Sequence, residues 1–583
     1  MIKQILLGAL ALAPFAAAVG NSLYVKEVTF PKNATVEQKA EMAAGVVPTD
    51  AQLAWQKLGL TAFLHFGVNT FTDREWGDGS EDPSIFNPSA LDARQWVRSL
   101  QAAGVKLVIL TAKHHDGFCL WPTETTAHSV KSSPWKEGKG DVMKELREAC
   151  DEYGMKLGVY LSPWDRNAPC YGDSPAYNDM FVRQLTELLT NYGRIDEVWF
   201  DGACGEGPNG KKQEYDLDRF REVIATLQPG AVTAIMGDDV RWVGNEKGLG
   251  RETEWSCTPL LPDSHKSDQN KRLGLRHKSP DLGSRDVLAE AGKVVWWPSE
   301  VDVSIRPGWF YHDTEQPKSL AKLAEIYTRS VGRNSVLLLN VPPDRRGLIA
   351  AADSVRLAEF GQWLAGNFPE ETGGEAIDLP YPKTVNCAVV GEDVSKGQRV
   401  EAFDVEGLVG GEWKPLASGT TIGFKRILLF EPVEVDSMRL NVTACRREPV
   451  IAGFRGLMAD MPAEETSGNA ALELPKGVTA SVEGPACTLR FAEPSTVKGF
   501  TYAPPADGAA VFNYAAEVSR DNGRTWTLVN GLSGEFSNIQ NNPIPQTVPF
   551  PAPATGVTDL RLRATSLTTG PASSFPGKLI PRL

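Results

Sequence analysis

Between about residues 55 and 366 short apolar runs alternate with longer segments whose apolar residues recur every three or four positions. The runs at 60–66 (LTAFLHF), 105–112, 156–162, 195–200, 231–236, near 293–302 and 335–340 predict strands. The segments at 92–103, 141–153, 177–192, 216–227, 318–332 and 353–366 predict helices. In 177–192, for example, Phe181, Leu185, Leu188, Leu189 and Tyr192 share one helical face. Wholly apolar strands alternating with amphipathic helices are the pattern of a parallel sheet covered by helices. A (β/α)8-like barrel with one degenerate unit is expected rather than an open sheet, because polar residues punctuate the carboxyl end of nearly every strand. Residues 237–292 are too long for an ordinary connection and rich in charge and glycine, so they predict a functional loop or lid.

Beyond about residue 367 the helical period disappears. Short strand-like runs such as Arg426–Phe430, Ser437–Val442 and Asp559–Ala564 follow one another between Gly, Pro and Asn turns, which predicts all-β sandwiches. The expected division is a leader at 1–20, a barrel at 21–366, and sandwiches at 367–458 and 466–583, with a Pro/Ala/Glu/Ser-rich joint near 459–470. Each sandwich has a turn running into a tryptophan, Gly410-Gly411-Glu412-Trp413 and Asp521-Asn522-Gly523-Arg524-Thr525-Trp526. That match suggests a diverged repeat.

Composition narrows the function more than the fold. A net charge of -13 offers no clustered positive face for nucleic acid or an anionic membrane, and favours a neutral or cationic ligand. Lys3 followed by the apolar run Ile5–Ala18 and the small residues Ala16-Ala17-Ala18 reads as a cleaved secretory leader, too short and proline-interrupted to anchor in a bilayer. Export to the periplasm or beyond is therefore expected, without membrane insertion. Eight cysteines without a C-x-x-C pair indicate neither a zinc site nor a dense disulfide framework, although an exported chain could carry one or two disulfides.

The candidate chemistry lies at the strand ends. Val198-Trp199-Phe200-Asp201-Gly202 brings a buried strand to a carboxylate, and Asp201 is the first candidate catalytic residue. His65, His114, His115, Tyr160, Trp164 and Trp199 end the neighbouring strands. Imidazole and indole N–H groups hydrogen-bond hydroxyls while aromatic faces cover the C–H patches of a sugar ring, so this ring of residues suits a neutral polyol. Adjacent His114 and His115 would point to opposite faces of a strand, which disfavours a three-ligand metal site; no metal or cofactor is expected. Cleavage of a glycosidic bond needs a second carboxyl group kept protonated by a poorly solvating environment. Glu246, Glu254 and Glu300 are candidates, with Asp238 and Asp239 behind them, and spacing alone leaves Glu246 and Glu300 open.

Five motifs in order, Phe63-Leu64-His65-Phe66-Gly67, Phe71–Gly79, Ala112–Phe118, Val159–Asp165 and Val198–Gly202, resemble the α-L-fucosidases of glycoside hydrolase family 29 over about residues 50–366. The resemblance implies a retaining exo-α-L-fucosidase on a (β/α) barrel, acting on fucosylated oligosaccharides or glycoproteins. It implies Asp201 as nucleophile, and His65, Trp76, His114, His115, Tyr160 and Trp199 as sugar-binding residues. Arg241–Glu246 is similar to the subgroup that removes α-1,3- and α-1,4-linked fucose from branched, Lewis-type glycans, which makes Glu246 the acid/base and Glu300 the fallback. The run Glu300–Phe310 is also similar to that subgroup and adds Glu300, Arg306 and Trp309 as binding residues. The C-terminal sandwiches resemble the galactose-binding-like modules that often follow such barrels.

Overall fold

The computed structural model describes residues 26–260, 279–369, 382–463, 472–505 and 507–583. The expected leader lies outside the described residues, as do 261–278 of the expected lid and most of the joint near 459–470. Eight strands form one parallel barrel sheet: β1 (Leu60–Leu64), β2 (Leu107–Lys113), β3 (Lys156–Leu161), β4 (Glu197–Phe200), β5 (Val232–Ile235), β6 (Arg241–Trp242), β7 (Ser299–Ser304) and β8 (Val336–Asn340). Strands β1 to β5 pair in order, β8 pairs with β1 and with β7, and β7 with β6. The ring closes between β5 and β6 through the single bridge Ala234–Val240. No helix separates those two strands, so this is the degenerate unit.

Residue parity sorts the strands into two cores, as the twofold repeat of a strand requires. Leu64, Val108, Leu110, Val159, Val198, Val301, Val303, Leu337 and Leu339 point outward into the layer shared with the helices. Phe63, Leu107, Ile109, Tyr160, Trp199, Val232, Ala234 and Leu338 point inward. The outer layer contains α1 (Ala93–Ala102), α2 (Val142–Tyr153), α3 (Ser174–Asn191), α4 (Leu217–Leu227), α5 (Leu320–Ser330) and α6 (Ala351–Asn367). Asp92, Asp141, Asp216 and Ser319 cap α1, α2, α4 and α5 by accepting from backbone N–H groups of the first turn. On α3, Phe181, Leu185, Leu188 and Leu189 are buried as its period predicts, each contributing about 1.5–3 kcal/mol.

Two expectations change. The apolar stretch near 293–302 is two strands, because Pro298 has no N–H to donate to a ladder. Its carbonyl instead accepts from Arg241 N at 2.9 Å. Lys293–Trp296 leaves the barrel to pair antiparallel with Glu27–Thr29 and Cys257–Leu260, and Ser299–Ser304 becomes β7. The stretch 237–292 is not simply a lid either: it begins with β6, and its described part packs down through the buried Arg241–Glu254 ion pair and the buried Trp255.

Beyond the barrel, three-stranded antiparallel sheets centred on Lys383–Glu392 and Val400–Val409 face each other across Ala388, Val390, Phe403, Val405 and Leu428. A seven-stranded antiparallel sheet follows, built on the long strands Ala486–Ala503 and Gln546–Leu567, whose register shifts let them bend around a core of Leu489, Phe500, Tyr502, Phe536 and Leu560. The two tryptophans noted in the sequence have matching surroundings. Each follows a hairpin turn and lies under an arginine from the strand on the far side of the hairpin, Arg439 at 4.2 Å from the Trp413 ring and Arg561 at 4.0 Å from Trp526. All eight cysteines are unpaired.

Candidate active site

The carboxyl ends of the barrel strands surround a cavity of about 870 Å³. Its lining includes Phe63 from β1 and His65 just after it, His114 and His115 just after β2, Tyr160 from β3, Trp199 and Asp201 from β4 and its end, Trp242 from β6 and Asp302 from β7. Loops add Glu75, Trp76, Glu246 and Trp309. The loop bearing Glu75 and Trp76 is pinned to the chain after β3: Asn167 Nδ2 donates to Gly79 O at 2.8 Å. Gly79 has φ +89°, and a Cβ there would lie 2.4 Å from the Arg166 carbonyl, so glycine is required.

Asp201 is held by two donors. The Tyr160 hydroxyl donates to Oδ2 at 3.0 Å and Ala203 N donates to Oδ1 at 2.8 Å. Tyr160 stacks on Trp199 with centroids 5.2 Å apart, and burial pushes its phenol well above the usual range, so it stays a donor. The histidines are kept neutral. Burial lowers His65 to about 4, His114 well below the ordinary value, and His115 in the same direction, with Asp201 opposing in the last case. Their tautomers follow from their partners. His65 Nδ1 lies 2.8 Å from Asn340 Oδ1, whose amide nitrogen donates to Trp309 O at 2.8 Å, so the proton is on Nδ1 and Nε2 remains an acceptor. Ser162 spends its one proton on Trp164 O at 2.7 Å, so His115 Nδ1 donates to Ser162 Oγ at 2.8 Å. His115 Nε2, left as an acceptor, then lies 3.7 Å from Asp201 Oδ2, so the two present adjacent acceptors to the cavity.

The second carboxyl group is Glu246. Trp309 Nε1 donates to its Oε2 at 2.9 Å. Burial pushes it up to about 7, with Asp201 adding and hydrogen bonds from Trp309, Asn538 and Asn541 opposing. Asp302 also faces the cavity, accepts from Trp242 Nε1 at 2.8 Å, and is raised well above the usual carboxylate range by burial and by Glu246. The site thus combines neutral imidazoles, a carboxylate held by two donors and a carboxyl group that retains its proton near neutrality. That pairs a proton donor with a carboxylate able to attack or stabilise an electron-poor carbon.

The α-L-fucosidase family model matches residues 55–368. The chain belongs to the α-L-fucosidases. It is 42% identical over 459 residues to α-L-fucosidase 1 of Arabidopsis thaliana, covering 71% of this chain and 88% of that protein. The crystal structure of a Bacteroides ovatus protein taken to be an α-L-fucosidase superposes with a TM-score of 0.73 at 54% identity, covering 96% of this chain and 99% of that one. A Ruminococcus gnavus family 29 fucosidase in complex with fucose superposes with a TM-score of 0.63 at 30% identity, covering 71% of this chain and 95% of that one.

In this fucosidase nine of the eleven anticipated residues line one cavity: His65, Trp76, His114, His115, Tyr160, Trp199, Asp201, Glu246 and Trp309. Glu300 and Arg306 do not. Glu300 is fully buried below the cavity, where its Oε2 accepts from Trp199 Nε1 at 2.7 Å and so touches the lining through that ring. Arg306 is buried against Asp353 at 2.8 Å and braces the turn that presents Trp309. Trp164 packs on Trp76 and His115 outside the lining.

Sequence reasoning missed several lining residues. Asp302 had a signal, since Glu300, Asp302 and Ser304 alternate with the outward Val301, Val303 and Ile305. Glu75 accepts from Trp309 N at 2.8 Å and Phe310 N at 3.1 Å, and lay unremarked beside Trp76. Ile235 lines the cavity with φ +68°, a conformation costing a β-branched residue about 1–3 kcal/mol. Asn538, Gln540 and Asn541 arrive from the C-terminal sheet and had no signal.

Proposed function

We propose that the fucosidase is a retaining exo-enzyme that removes α-1,3- and α-1,4-linked fucose from branched, Lewis-type oligosaccharides and glycoproteins. The observation that carries this reading is the pair of unequal carboxyl groups on one cavity, Asp201 held by Tyr160 and Ala203, and Glu246 shifted to about 7. Asp201 Oδ attacks the anomeric carbon as the glycosidic bond breaks, while Glu246 gives its proton to the departing oxygen. The products of this step are a covalent fucosyl ester and the freed saccharide alcohol. Glu246, now ionised, takes a proton from water, whose oxygen attacks the same carbon and releases Asp201 and fucose with retained configuration. Retention predicts the two carboxyl groups about 5–5.5 Å apart when sugar is bound.

His65 Nε2 and His115 Nε2 each accept from a fucose hydroxyl, and Trp76, Trp199 and Trp309 supply aromatic surface. Phe63, Ile235 and Met236 give the cavity an apolar side, which favours the methyl of a 6-deoxy sugar over the hydroxymethyl of galactose. The leader-like Lys3–Ala18 segment supports work in the periplasm or outside the cell. The test is side-by-side hydrolysis of 4-nitrophenyl α-L-fucoside, 2'-fucosyllactose and a Lewis-type trisaccharide with fucose quantified directly. Preferential release from the trisaccharide supports the branched-linkage reading. Equal or greater release from 2'-fucosyllactose removes that linkage assignment, and an inverted product by NMR removes the retaining mechanism.

A further inference from the structure

Glu246 is held from two sides by groups of different origin. Trp309, whose ring lies 5.1 Å from that of His65, belongs to the sugar-pocket side. From the opposite part of the chain, Asn541 Nδ2 donates to Glu246 Oε1 at 3.0 Å, and Asn538 adds a second hydrogen bond. Both asparagines lie in the loop 537–542 of the C-terminal seven-stranded sheet, between Thr527–Glu535 and Gln546–Leu567.

This loop is firmly seated. Before it, Glu535 Oε1 accepts from Glu75 N at 3.1 Å and Phe536 is buried in the sheet core. Within it, Ser537 hydrogen-bonds Glu315 and accepts through its carbonyl from Gln546 Nε2 at 2.7 Å, while Ile539 is buried. Gln540 and Asn541 remain exposed on the cavity wall. An acid that protonates a glycosidic oxygen stands between fucose and the sugar that leaves. Trp309 marks the fucose side, so the amides on the other side of Glu246 border the leaving sugar. Neutral amides, each with donors and an acceptor, match neutral hydroxyls. The R. gnavus fucosidase bound to fucose is matched over 95% of its length by 71% of this chain, so in that relative fucose is held by a shorter protein.

We propose that the C-terminal sheet is part of the catalytic centre: Asn541 positions the acid/base carboxyl group and, with Gln540, walls the subsite that receives the leaving-group saccharide. This rests on the reading of Glu246 as the acid/base. The charged groups facing Glu246 are Asp201 at the end of β4 and Asp302 on β7, with Lys247 next in the chain; the lining's other charged residues are Glu75, Glu214, Asp216, Asp218 and Arg221. The loop 537–542 brings only uncharged groups. An N–H donor stabilises an ionised carboxylate, so loss of Asn541 raises the pH at which Glu246 gives up its proton.

The test compares kcat/KM against pH for the full-length wild type, Asn541→Ala, Asn541→Asp and Gln540→Ala, on a Lewis-type trisaccharide and on 4-nitrophenyl α-L-fucoside, whose leaving group needs little protonation. For Asn541→Ala, kcat/KM on the trisaccharide is expected to fall about ten- to a hundredfold, with a several-fold smaller loss on the aryl fucoside. Its alkaline limb is expected to move up by about half to one pH unit, and that of Asn541→Asp further. Gln540→Ala raises KM for the trisaccharide with the limb in place. Equal losses on both substrates with an unmoved limb would mean an ordinary structural contact and overturn the proposal. Glu246→Ala with azide separates the two readings. Formation of α-L-fucosyl azide identifies Glu246 as the acid/base, so rescue together with unmoved Asn541 limbs defeats only this inference, whereas absent rescue defeats the reading beneath it.

Discussion

Replacing Glu300 by glutamine tests what the buried floor of the site does. Glu300 and Glu197 meet inside the barrel, Glu300 Oε2 accepting from Trp199 Nε1 at 2.7 Å and Glu197 Oε2 from Trp55 Nε1 at 2.9 Å. Among the described residues their second oxygens have no partner besides each other. Burial pushes Glu197 up to about 7 and Glu300 well above its ordinary value, with mutual repulsion adding for Glu300. The pair therefore keeps at least one proton at a pH where the unfolded chain has lost it. Because the folded pKa is raised, this stability is fully present below about pH 4.5 and is lost as pH rises toward the folded value, at about 1.4 kcal/mol per unit for one proton. From pH 5 to pH 7 the loss is about 3 kcal/mol.

Glu300→Gln keeps the shape and the oxygen that accepts from Trp199, offers an N–H to Glu197, and removes Glu300's own titration while leaving that of Glu197. The apparent unfolding temperature of the wild type should fall between pH 5 and pH 7 by about 6 °C more than that of the variant, at about 2 °C per kcal/mol for a domain of more than 200 residues. Differential scanning fluorimetry across that range measures it, with hydrolysis of 4-nitrophenyl α-L-fucoside expected to stay within about threefold. Parallel melting curves would refute the shared proton. A loss of a hundredfold or more in kcat/KM would return Glu300 to direct contact with the sugar.

Two further outcomes follow from the geometry. Asp201→Ala should lower kcat on the aryl fucoside by about 10⁴-fold or more with an unchanged circular dichroism spectrum, and azide should then yield the β-fucosyl product; normal turnover would remove Asp201 from the mechanism. Asn340→Leu removes the acceptor that holds the His65 proton on Nδ1 and the donor to Trp309 O, so KM for fucosides should rise about tenfold and stability fall by about 1–3 kcal/mol, measured by initial rates and urea unfolding.

The barrel was legible because its two periodicities are undiluted: inward and outward residues alternate along every long strand, and α3 carries its apolar face without interruption. The ring of His, Tyr, Trp and Asp201 was legible because strand ends are where polar residues have no structural reason to interrupt apolar runs. The short β6 was invisible, since two residues carry no period. The run near 293–302 misled because hydropathy does not register the missing N–H of Pro298. Glu300 was placed in the pocket on family likeness, but its position on β7 sinks it below the cavity floor while Asp302, two residues on, reaches the cavity. Gln540 and Asn541 were out of reach for another reason: their partners are set by how the C-terminal sheet docks, and no local pattern encodes that.

The docking also gives the site an assembly order. Asn541 reaches Glu246 across 295 positions and Glu535 reaches Glu75 across 460. A chain synthesised from its N-terminus presents all eight barrel strands before residue 537 exists. The histidines and aromatic residues can take up their places while Glu246 is held by Trp309 alone, and its second hold arrives with the final strands. Maturation of the site is therefore a late, long-range event, and a chain that ends before Asn538 loses that hold while every barrel residue of the cavity is still present.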